Sequence, residues 1–356
     1  MKKILLLLSI LVIYVPLVQY DYVQDDKGMI QYFNTTETAD ILLNIITPNS
    51  NEQFYRPFGE LYCFIIYTIF KSNAMGFHII SLALLYFSSL LVMSIATILM
   101  KSDQIGWGSA FLFSSASTLH LDTQMWMVGI FDLGALILIL LSFLFYLKNR
   151  RLYSVIAFTC ALLFKEAAII LPLVFILHTY IKNKKVASLA IYLPSMVGWG
   201  IIKTLNASLF SLPLTVPYAA RLFGVHLIVN LATYLWWILP AAPFICGIFL
   251  YEREKKENTL FLLSWALLFL VPVLFFVSQA ARYYALFSLI PLSMLTVGGY
   301  IVRWGKKKTI SLILISLIIL GNMLFIQGHV RRGINDDIPA SNDGYNHLIR
   351  KSLRGQ

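Results

Sequence analysis

The strongest constraint on this chain is the recurrence of apolar runs along most of its length, for example over residues 77–100 and 125–147. A helix rises 1.5 Å per residue, so apolar runs of about 17–25 residues cross the hydrocarbon core of a bilayer. The runs are continuous rather than alternating, which favours helices over a β-barrel. Only 13% of the residues are charged, against about 25% in soluble domains. We therefore predict an all-α, multi-pass membrane protein in which residues 1–326 form one transmembrane domain and residues 327–356 a polar C-terminal tail.

The formal net charge of +11 is concentrated in short linkers between apolar runs, so we predict membrane lipids and no nucleic acid as partners. The basic linkers contain Lys2 and Lys3; Lys101; Lys148, Arg150 and Arg151; Lys182, Lys184 and Lys185; Arg253, Lys255 and Lys256; and Arg303, Lys306, Lys307 and Lys308. Basic linkers face the cytoplasm in membrane proteins, which predicts a cytoplasmic N-terminus and an outer C-terminus in the cell membrane. The eleven predicted spans lie near 3–20, 77–100, 105–119, 125–147, 152–164, 167–181, 186–205, 225–250, 259–277, 283–302 and 309–326.

The division of residues 152–181 into two spans is predicted from the basic linkers alone. Residues 152–181 are long enough for a single helix, but one helix would place the basic linkers at its two ends on opposite sides of the membrane. The positive-inside rule favours a hairpin that turns at Lys165 and Glu166 on the outer side.

The predicted outer face collects polar residues, which are costly at membrane depth and often mark substrate pathways. The first outer loop, residues 21–76, contains the adjacent carboxylates Asp25 and Asp26 near its start. Its segment 55–70 begins with Arg-Pro and is too short to span, so we predict an interfacial helix on the outer leaflet. The other candidate binding residues are Arg56, His78, His120, Asp122, Lys165, Glu166, Arg221, Arg282 and Tyr283.

Five segments of this chain resemble motifs of the GT-C class of membrane glycosyltransferases, which take sugars from polyprenyl-phosphate donors. The segments are DYVQDDKGMI, YRPFGELYCFIIYTIFKSNAMGFHIISLALL, HLDTQMWMVGIFDLGAL, ALLFKEAAIILP and ARYYALFSLIP, which occur in the family's order within residues 20–292. They are most similar to the branch of protein O-mannosyltransferases and TPR-bearing membrane mannosyltransferases. Ile130 stands where that branch has arginine, Asp122 stands where glutamate is commoner, and residues 327–356 do not resemble the TPR tail.

The resemblance implies transfer of a sugar from a polyprenyl-phosphate donor to a hydroxyl of a protein, lipid or glycan in the cell envelope, with inversion. In such a reaction a carboxylate takes the acceptor proton, and Asp25 or Asp26 is the candidate base. Adjacent side chains in an extended loop point apart, so we expect one of the two to reach the acceptor. Cations stabilise the leaving phosphate, and the candidates are Arg56, Lys165, Arg221 and Arg282, with Lys165 and Arg282 preferred.

Structural interpretations compete with these roles. Asp25 and Asp26 also suit a solvated helix end, Lys165 and Glu166 suit a turn with a local ion pair, and His78 and His120 suit hydrogen bonds between helices. His120 and Asp122 offer two metal ligands, which are too few for a metal site, so we predict no cofactor.

Two other functions are compatible with a polytopic chain. A polymerase or ligase of lipid-linked glycans usually places its long loop late in the chain, whereas the long loop here follows the first span. A transporter or flippase of lipid-linked sugars often shows internal repeats and broken helices in matching halves. We find no such repeat in the sequence.

The basic linkers generate a topology prediction. Reporter fusions after Arg150, Lys185, Glu257 and Lys308 are expected to report the cytoplasm, because each follows a basic linker. Fusions after Ser50 and Asn335 are expected to report the outside, measured with paired reporters that are active on opposite sides. A cytoplasmic Ser50 would place the acidic loop on the wrong side for an outer active site.

Overall fold

The computed structural model describes residues 1–23, 25–47, 55–182, 186–205, 221, 223–238, 256–277, 280–304, 316–328 and 330, and the described chain is α-helical without strands. Its helices are α1 Lys2–Tyr14, α2 Asp25–Thr35, α3 Thr38–Ile46, α4 Pro57–Phe70, α5 Ala74–Met100, α6 Asp103–Ser115, α7 Ser117–Met125, α8 Ile130–Leu147, α9 Arg151–Phe164, α10 Leu171–Ile181, α11 Leu193–Leu205, α12 Val225–Ile238, α13 Lys256–Leu274, α14 Leu286–Trp304 and α15 Ser316–Gly328. Short 3₁₀ turns join several of them, at Val15–Gln19, Met127–Gly129, Glu166–Ile170, Val186–Tyr192 and Arg282–Ala285.

Among the residues that the structure describes, five helical segments are long and apolar enough to cross a membrane. They are Lys2–Gln19, Ala74–Met100, Met127–Leu147, Lys256–Leu274 and Arg282–Ile301. Shorter apolar helices accompany them, and large apolar side chains such as Ile4, Leu152 and Leu260 remain more than half exposed. Such exposure is expected of a surface that faces lipid. The count of eleven spans and the sides of the two termini stay predictions.

The predicted reversal at Lys165 and Glu166 is present. Helix α9 ends at Phe164, and the backbone at Lys165 is extended (φ −159°, ψ 138°) before the turn Glu166–Ile170. At one end of α8, Asp132 contacts Lys165, and at the other end the Tyr146 hydroxyl lies 2.9 Å from His178 Nδ1 of α10. Because α10 thus returns along α8, the segment is a hairpin and not one long helix.

Aromatic rings fill the space between α8, α10 and α13. Phe143 stacks on Phe175, with ring centroids 5.8 Å apart, and contacts the buried Trp265 edge-on at 4.8 Å. Between α8 and α9, Ser142 and Ser154 exchange hydrogen bonds from each hydroxyl to the other's carbonyl oxygen. Small hydroxyl side chains let two helices approach closely in lipid, and this contact holds α9, which leads to Lys165, against α8.

The start of residues 21–76, the segment predicted as the first outer loop, is helical, which corrects the expectation of an extended segment at Asp25 and Asp26. Asp25 begins α2, and Ile30 and Phe33, one turn apart, are buried against α4. Carboxylates in a first helical turn are favoured by the helix dipole, and a buried apolar stripe stabilises the rest. Helix α4 lies within the predicted interfacial segment, whose position at the membrane surface stays a prediction.

Gly59 in α4 is placed for a test of how this loop docks on α8. A β-carbon there would overlap the buried ring of Phe131, whereas a β-carbon at Gly28 in α2 would meet no atom within 4 Å. We expect Gly59→Ala to destabilise the protein by about 1–3 kcal/mol through overpacking. Gly28→Ala is the matched control and is expected to be neutral or stabilising, by up to about 1 kcal/mol. Melting temperatures in detergent measure both, and equal values for the two variants would contradict this packing.

Candidate active site

A buried ion pair lies where α9 meets α8. Lys165 Nζ lies 2.5 Å from Asp132 Oδ1, and both side chains are more than nine-tenths buried. Asp132 occupies the first turn of α8, and the extended backbone at Lys165 aims the ammonium at it. The rings of Tyr283 and Tyr284 cover the same ammonium, with centroids 4.7 and 5.3 Å from Nζ. Asp132 therefore holds Lys165, one of the predicted phosphate ligands.

A second ion pair lies beside the first. Arg56, the residue before α4, donates two parallel hydrogen bonds to the Glu166 carboxylate, from Nε to Oε2 at 3.1 Å and from its terminal nitrogen to Oε1. The guanidinium also lies over the Phe131 ring, 5.6 Å from its centroid. A bidentate arginine–carboxylate pair has a defined geometry. The pair joins the start of α4 to the α9–α10 turn. The alternative interpretation of a local Lys165–Glu166 ion pair is therefore replaced by two longer-range pairs.

Lys203 adds a third cation that sequence reasoning missed. It lies near the end of α11 with 6% of its surface exposed, and its charge interacts with those of Glu166 and Arg56. Its ammonium lies 5.6 Å from the Trp199 ring centroid. A lysine within the apolar run GWGIIKTL is costly unless it serves a site, and that signal was available in the sequence. We call Arg56, Asp132, Lys165, Glu166 and Lys203 the charged cluster.

A further ion pair borders the charged cluster. Asp122 of α7 is 5% exposed, and its Oδ1 lies 3.7 Å from a terminal nitrogen of Arg282. Burial raises the pKa of the Asp122 carboxyl to about 6, and the Arg282 charge opposes that shift. The Arg282 guanidinium lies 5.9 Å from the Trp237 ring centroid, and the neighbouring Tyr283 ring lies 6.2 Å from that of Trp126. The Tyr283 ring thus contacts both Trp126 and the Lys165 ammonium.

Asp26 is buried, which rules out the interpretation of this residue as part of a solvated helix end. Only 1% of its surface is accessible, and its carboxylate accepts hydrogen bonds from the backbone N–H of Met127, at 2.9 Å, and of Val128, at 3.1 Å. These bonds fasten the start of α2 to the turn before α8. The backbone of Asp25 is described as the first residue of α2, and its side chain lies outside the described part of the structure.

The two predicted histidines bond to backbone carbonyls. His78 Nδ1 lies 2.9 Å from the Gln124 oxygen and Nε2 lies 3.0 Å from the Tyr20 oxygen, which links α5 to two other segments. His120 is fully buried against Phe113 and Tyr14, with Nε2 2.9 Å from the Phe113 oxygen. Both contacts match the structural interpretation, and neither histidine appears among the ion pairs of the described residues.

Arg221 is not brought into these ion pairs either, as far as the described chain extends. It is exposed, and its backbone N–H donates to the Phe275 carbonyl oxygen near the end of α13. Within the same described residues, no three histidine, cysteine or acidic side chains are grouped as a metal site would need.

Comparisons with known proteins identify the fold. No protein-family model and no curated protein matches the chain. Two crystal structures of ArnT from Cupriavidus metallidurans do match. The structure bound to undecaprenyl phosphate is 16% identical over 98% of this chain and 67% of that chain, with a TM-score of 0.59. The apo structure is 15% identical over 85% of this chain and 61% of that chain, with a TM-score of 0.54.

The chain thus spans about two thirds of the length of these ArnT chains. At this level of identity the likeness concerns the fold, and the specific resemblance to the mannosyltransferase branch stays a prediction. The structure nevertheless confirms the GT-C fold that the five ordered motifs predict, because the ArnT structures share that fold. The described helices of this protein adopt an ArnT-like GT-C fold.

Proposed function

We propose that this protein is an inverting glycosyltransferase that moves a sugar from a polyprenyl-phosphate donor to a hydroxyl acceptor on the outer side of the membrane. The observation that carries the proposal is the charged cluster, in which three basic and two acidic side chains, each buried or partly buried, meet at helix ends. Charges buried in a membrane protein usually serve a polar substrate. The ArnT-like fold supports the lipid class, since one matching ArnT structure is bound to undecaprenyl phosphate.

The cluster suits the leaving group of this reaction. As the bond between sugar C1 and the phosphate oxygen breaks, its electron pair and negative charge pass to the polyprenyl phosphate. Lys165 offers a point charge and Arg56 a planar guanidinium, both held in place before the substrate arrives. Donors that are already oriented need little reorganisation during the reaction, which is the main source of electrostatic catalysis. We therefore assign the phosphate to Arg56 and Lys165, with Lys203 beside them.

The acceptor side of the reaction needs a base. The acceptor oxygen attacks C1 from the face opposite the phosphate, its proton moves to a carboxylate, and the configuration at C1 inverts. Asp26 is unsuited to this role because both of its oxygens accept backbone hydrogen bonds in a buried position. We therefore assign the base to Asp25, and we give Asp26 the role of positioning α2 against the turn that precedes α8.

This division of roles generates a prediction. We expect Asp25→Asn to lower the transfer rate by at least about 100-fold, the scale of a lost general base. Its melting temperature is expected to stay unchanged. We expect Asp26→Asn to lower the melting temperature as well as the rate, because an amide –NH₂ would face a backbone N–H and cost about 1–3 kcal/mol.

Both variants are measured for transfer of labelled sugar from the polyprenyl donor and for thermal unfolding in the same detergent. Full activity of Asp25→Asn would exclude Asp25 as the base, and Asp122 and Glu166 would be the next candidates. An Asp26→Asn protein with unchanged stability and lost transfer would reverse the two assignments.

The Lys165–Asp132 pair generates a second prediction. Removing one partner leaves a buried charge and typically costs 3–5 kcal/mol, whereas replacing both can be nearly neutral. We expect Lys165→Met to destabilise the protein and the double variant Lys165→Met/Asp132→Asn to regain most of the lost melting temperature. Transfer is expected to remain impaired in the double variant, with weaker donor use, because the phosphate has lost a cation.

The measurement is the transfer rate against donor concentration in liposomes, together with thermal unfolding. Recovery of transfer along with stability would show that Lys165 serves only to neutralise Asp132. If the wild-type protein moves a lipid-linked sugar across liposomes and never cleaves the sugar–phosphate bond, the transporter interpretation replaces the glycosyltransferase.

A further inference from the structure

Three buried polar atoms near Tyr283 have no hydrogen-bond partner within the described part of the chain. They are Asp122 Oδ1, a terminal nitrogen of Arg282, and the indole Nε1 of Trp126. Asp122 is 95% buried, so its oxygen cannot recover the hydrogen bonds that water gives to an exposed carboxylate. Buried polar groups are nearly always hydrogen-bonded, and the exceptions call for an unseen partner.

The geometry of the Asp122–Arg282 pair specifies what kind of partner fits. At 3.7 Å the oxygen and nitrogen attract each other but are too far apart for a direct hydrogen bond. The carboxylate only accepts hydrogen bonds and the guanidinium only donates them. A hydroxyl does both, so a single hydroxyl can donate to Asp122 and accept from Arg282.

The surrounding rings extend this description from one hydroxyl to a hydroxylated ring. The Trp126 indole N–H donates and cannot accept, so it needs a second acceptor oxygen. The rings of Trp126, Tyr283 and Trp237 supply apolar surface around the pair. Tyrosine and tryptophan are suited to ligands with both apolar and polar surface, because each combines an apolar ring with a polar group.

The position of this site relative to the charged cluster decides which sugar it would hold. Tyr283 contacts Trp126 through its ring, and the same ring lies 4.7 Å from Lys165 Nζ. A phosphate at Lys165 therefore places the group bonded to it beside Tyr283. In a polyprenyl-phosphate glycoside that group is the sugar.

We propose that Asp122, Trp126 and Arg282 form the subsite for the sugar of the donor, next to the phosphate site, and that they bind it through its ring hydroxyls. This proposal rests on the proposed function. It reassigns Arg282, which the sequence suggests as a phosphate ligand, to the sugar. It also adds Trp126 to the candidate site residues.

The test compares the bare lipid with its glycosides. Purified protein in detergent is titrated with undecaprenyl phosphate and with undecaprenyl phosphate carrying mannose, glucose or N-acetylglucosamine, and dissociation constants are measured for each. We expect the wild type to bind at least one glycoside more tightly than the bare lipid. Trp126→Phe keeps an aromatic ring and deletes the N–H, so it is expected to weaken that glycoside about five- to tenfold. Binding of the bare lipid is expected to stay within about twofold of the wild type.

Two further variants provide a control and an independent test of the subsite. Trp107→Phe is the matched control, because Trp107 lies under Lys2 at the start of the chain, and we expect it to change neither affinity. Asp122→Asn keeps the shape of the side chain and is expected to weaken the same glycoside while leaving the bare lipid unaffected. It provides an independent measurement if Trp126→Phe alters folding.

The outcomes separate the subsite from the function on which it rests. If neither Trp126→Phe nor Asp122→Asn changes glycoside binding while the bare lipid binds, the subsite is overturned and the proposed function stands. Equal weakening of the bare lipid and the glycoside would place these residues at the phosphate and overturn the subsite. Unchanged donor binding with weaker use of the acceptor would assign them to the acceptor instead. Failure of the wild type to bind any of the four lipids would remove the proposed function together with the subsite.

Discussion

The buried contact between Lys165 and Asp132 is the interaction on which the rest of the site depends. A lysine at this depth is unfavourable without a counter-charge, and an aspartate is too. The pair is possible because the chain leaves its helical path at Lys165, which turns the ammonium toward α8 and sends α10 back alongside it. The same break places Glu166 where it forms an ion pair with Arg56. One departure from regular helix therefore produces the hairpin, both ion pairs and the meeting point of the first outer loop with the bundle.

The sequence predicts the elements of this site better than their partners. Apolar run length predicts helices, and the basic linkers predict the reversal at Lys165. Both predictions depend only on whether a local segment is more stable in lipid or in water. The acidic motif, Arg56, Lys165, Glu166 and Arg282 are all identifiable as polar residues in an apolar chain. The sequence does not predict which residues pair, because the partners lie far apart in the chain. Arg56 bonds to Glu166, 110 positions away, and Asp26 bonds to Val128, 102 positions away. Without a register between helices, nothing local distinguishes Asp26, which bonds to backbone, from its neighbour Asp25. Lys203 was missed because the apolar run around it was interpreted only as a span, although a lysine within such a run is itself a signal of a polar site.

Paired charges also shape how a phosphate would be held. In the charged cluster, Asp132 and Glu166 fix the positions of Lys165 and Arg56 and offset part of their charge. An anion then meets cations that are already oriented, in surroundings where electrostatic interactions are stronger than in water. Under the proposed function, the carboxylates would also limit how tightly a product phosphate is bound, which would favour its release. Positioning and moderate affinity suit a catalyst, because binding substrate and product too tightly brings no gain in turnover.

The two hydrogen bonds from Met127 and Val128 to Asp26 have a mechanical consequence. They clamp the first turn of α2, which includes Asp25, to the backbone immediately ahead of α8, and Asp132 lies in the next helical turn. Under the proposed roles, Asp25 removes the proton and Asp132 anchors the phosphate-binding lysine. Both are held in place by the same stretch of backbone at the start of α8. The distance between the proposed base and the proposed phosphate site is then fixed by the fold. An acceptor must fit that distance, and α2 does not have to move to create it.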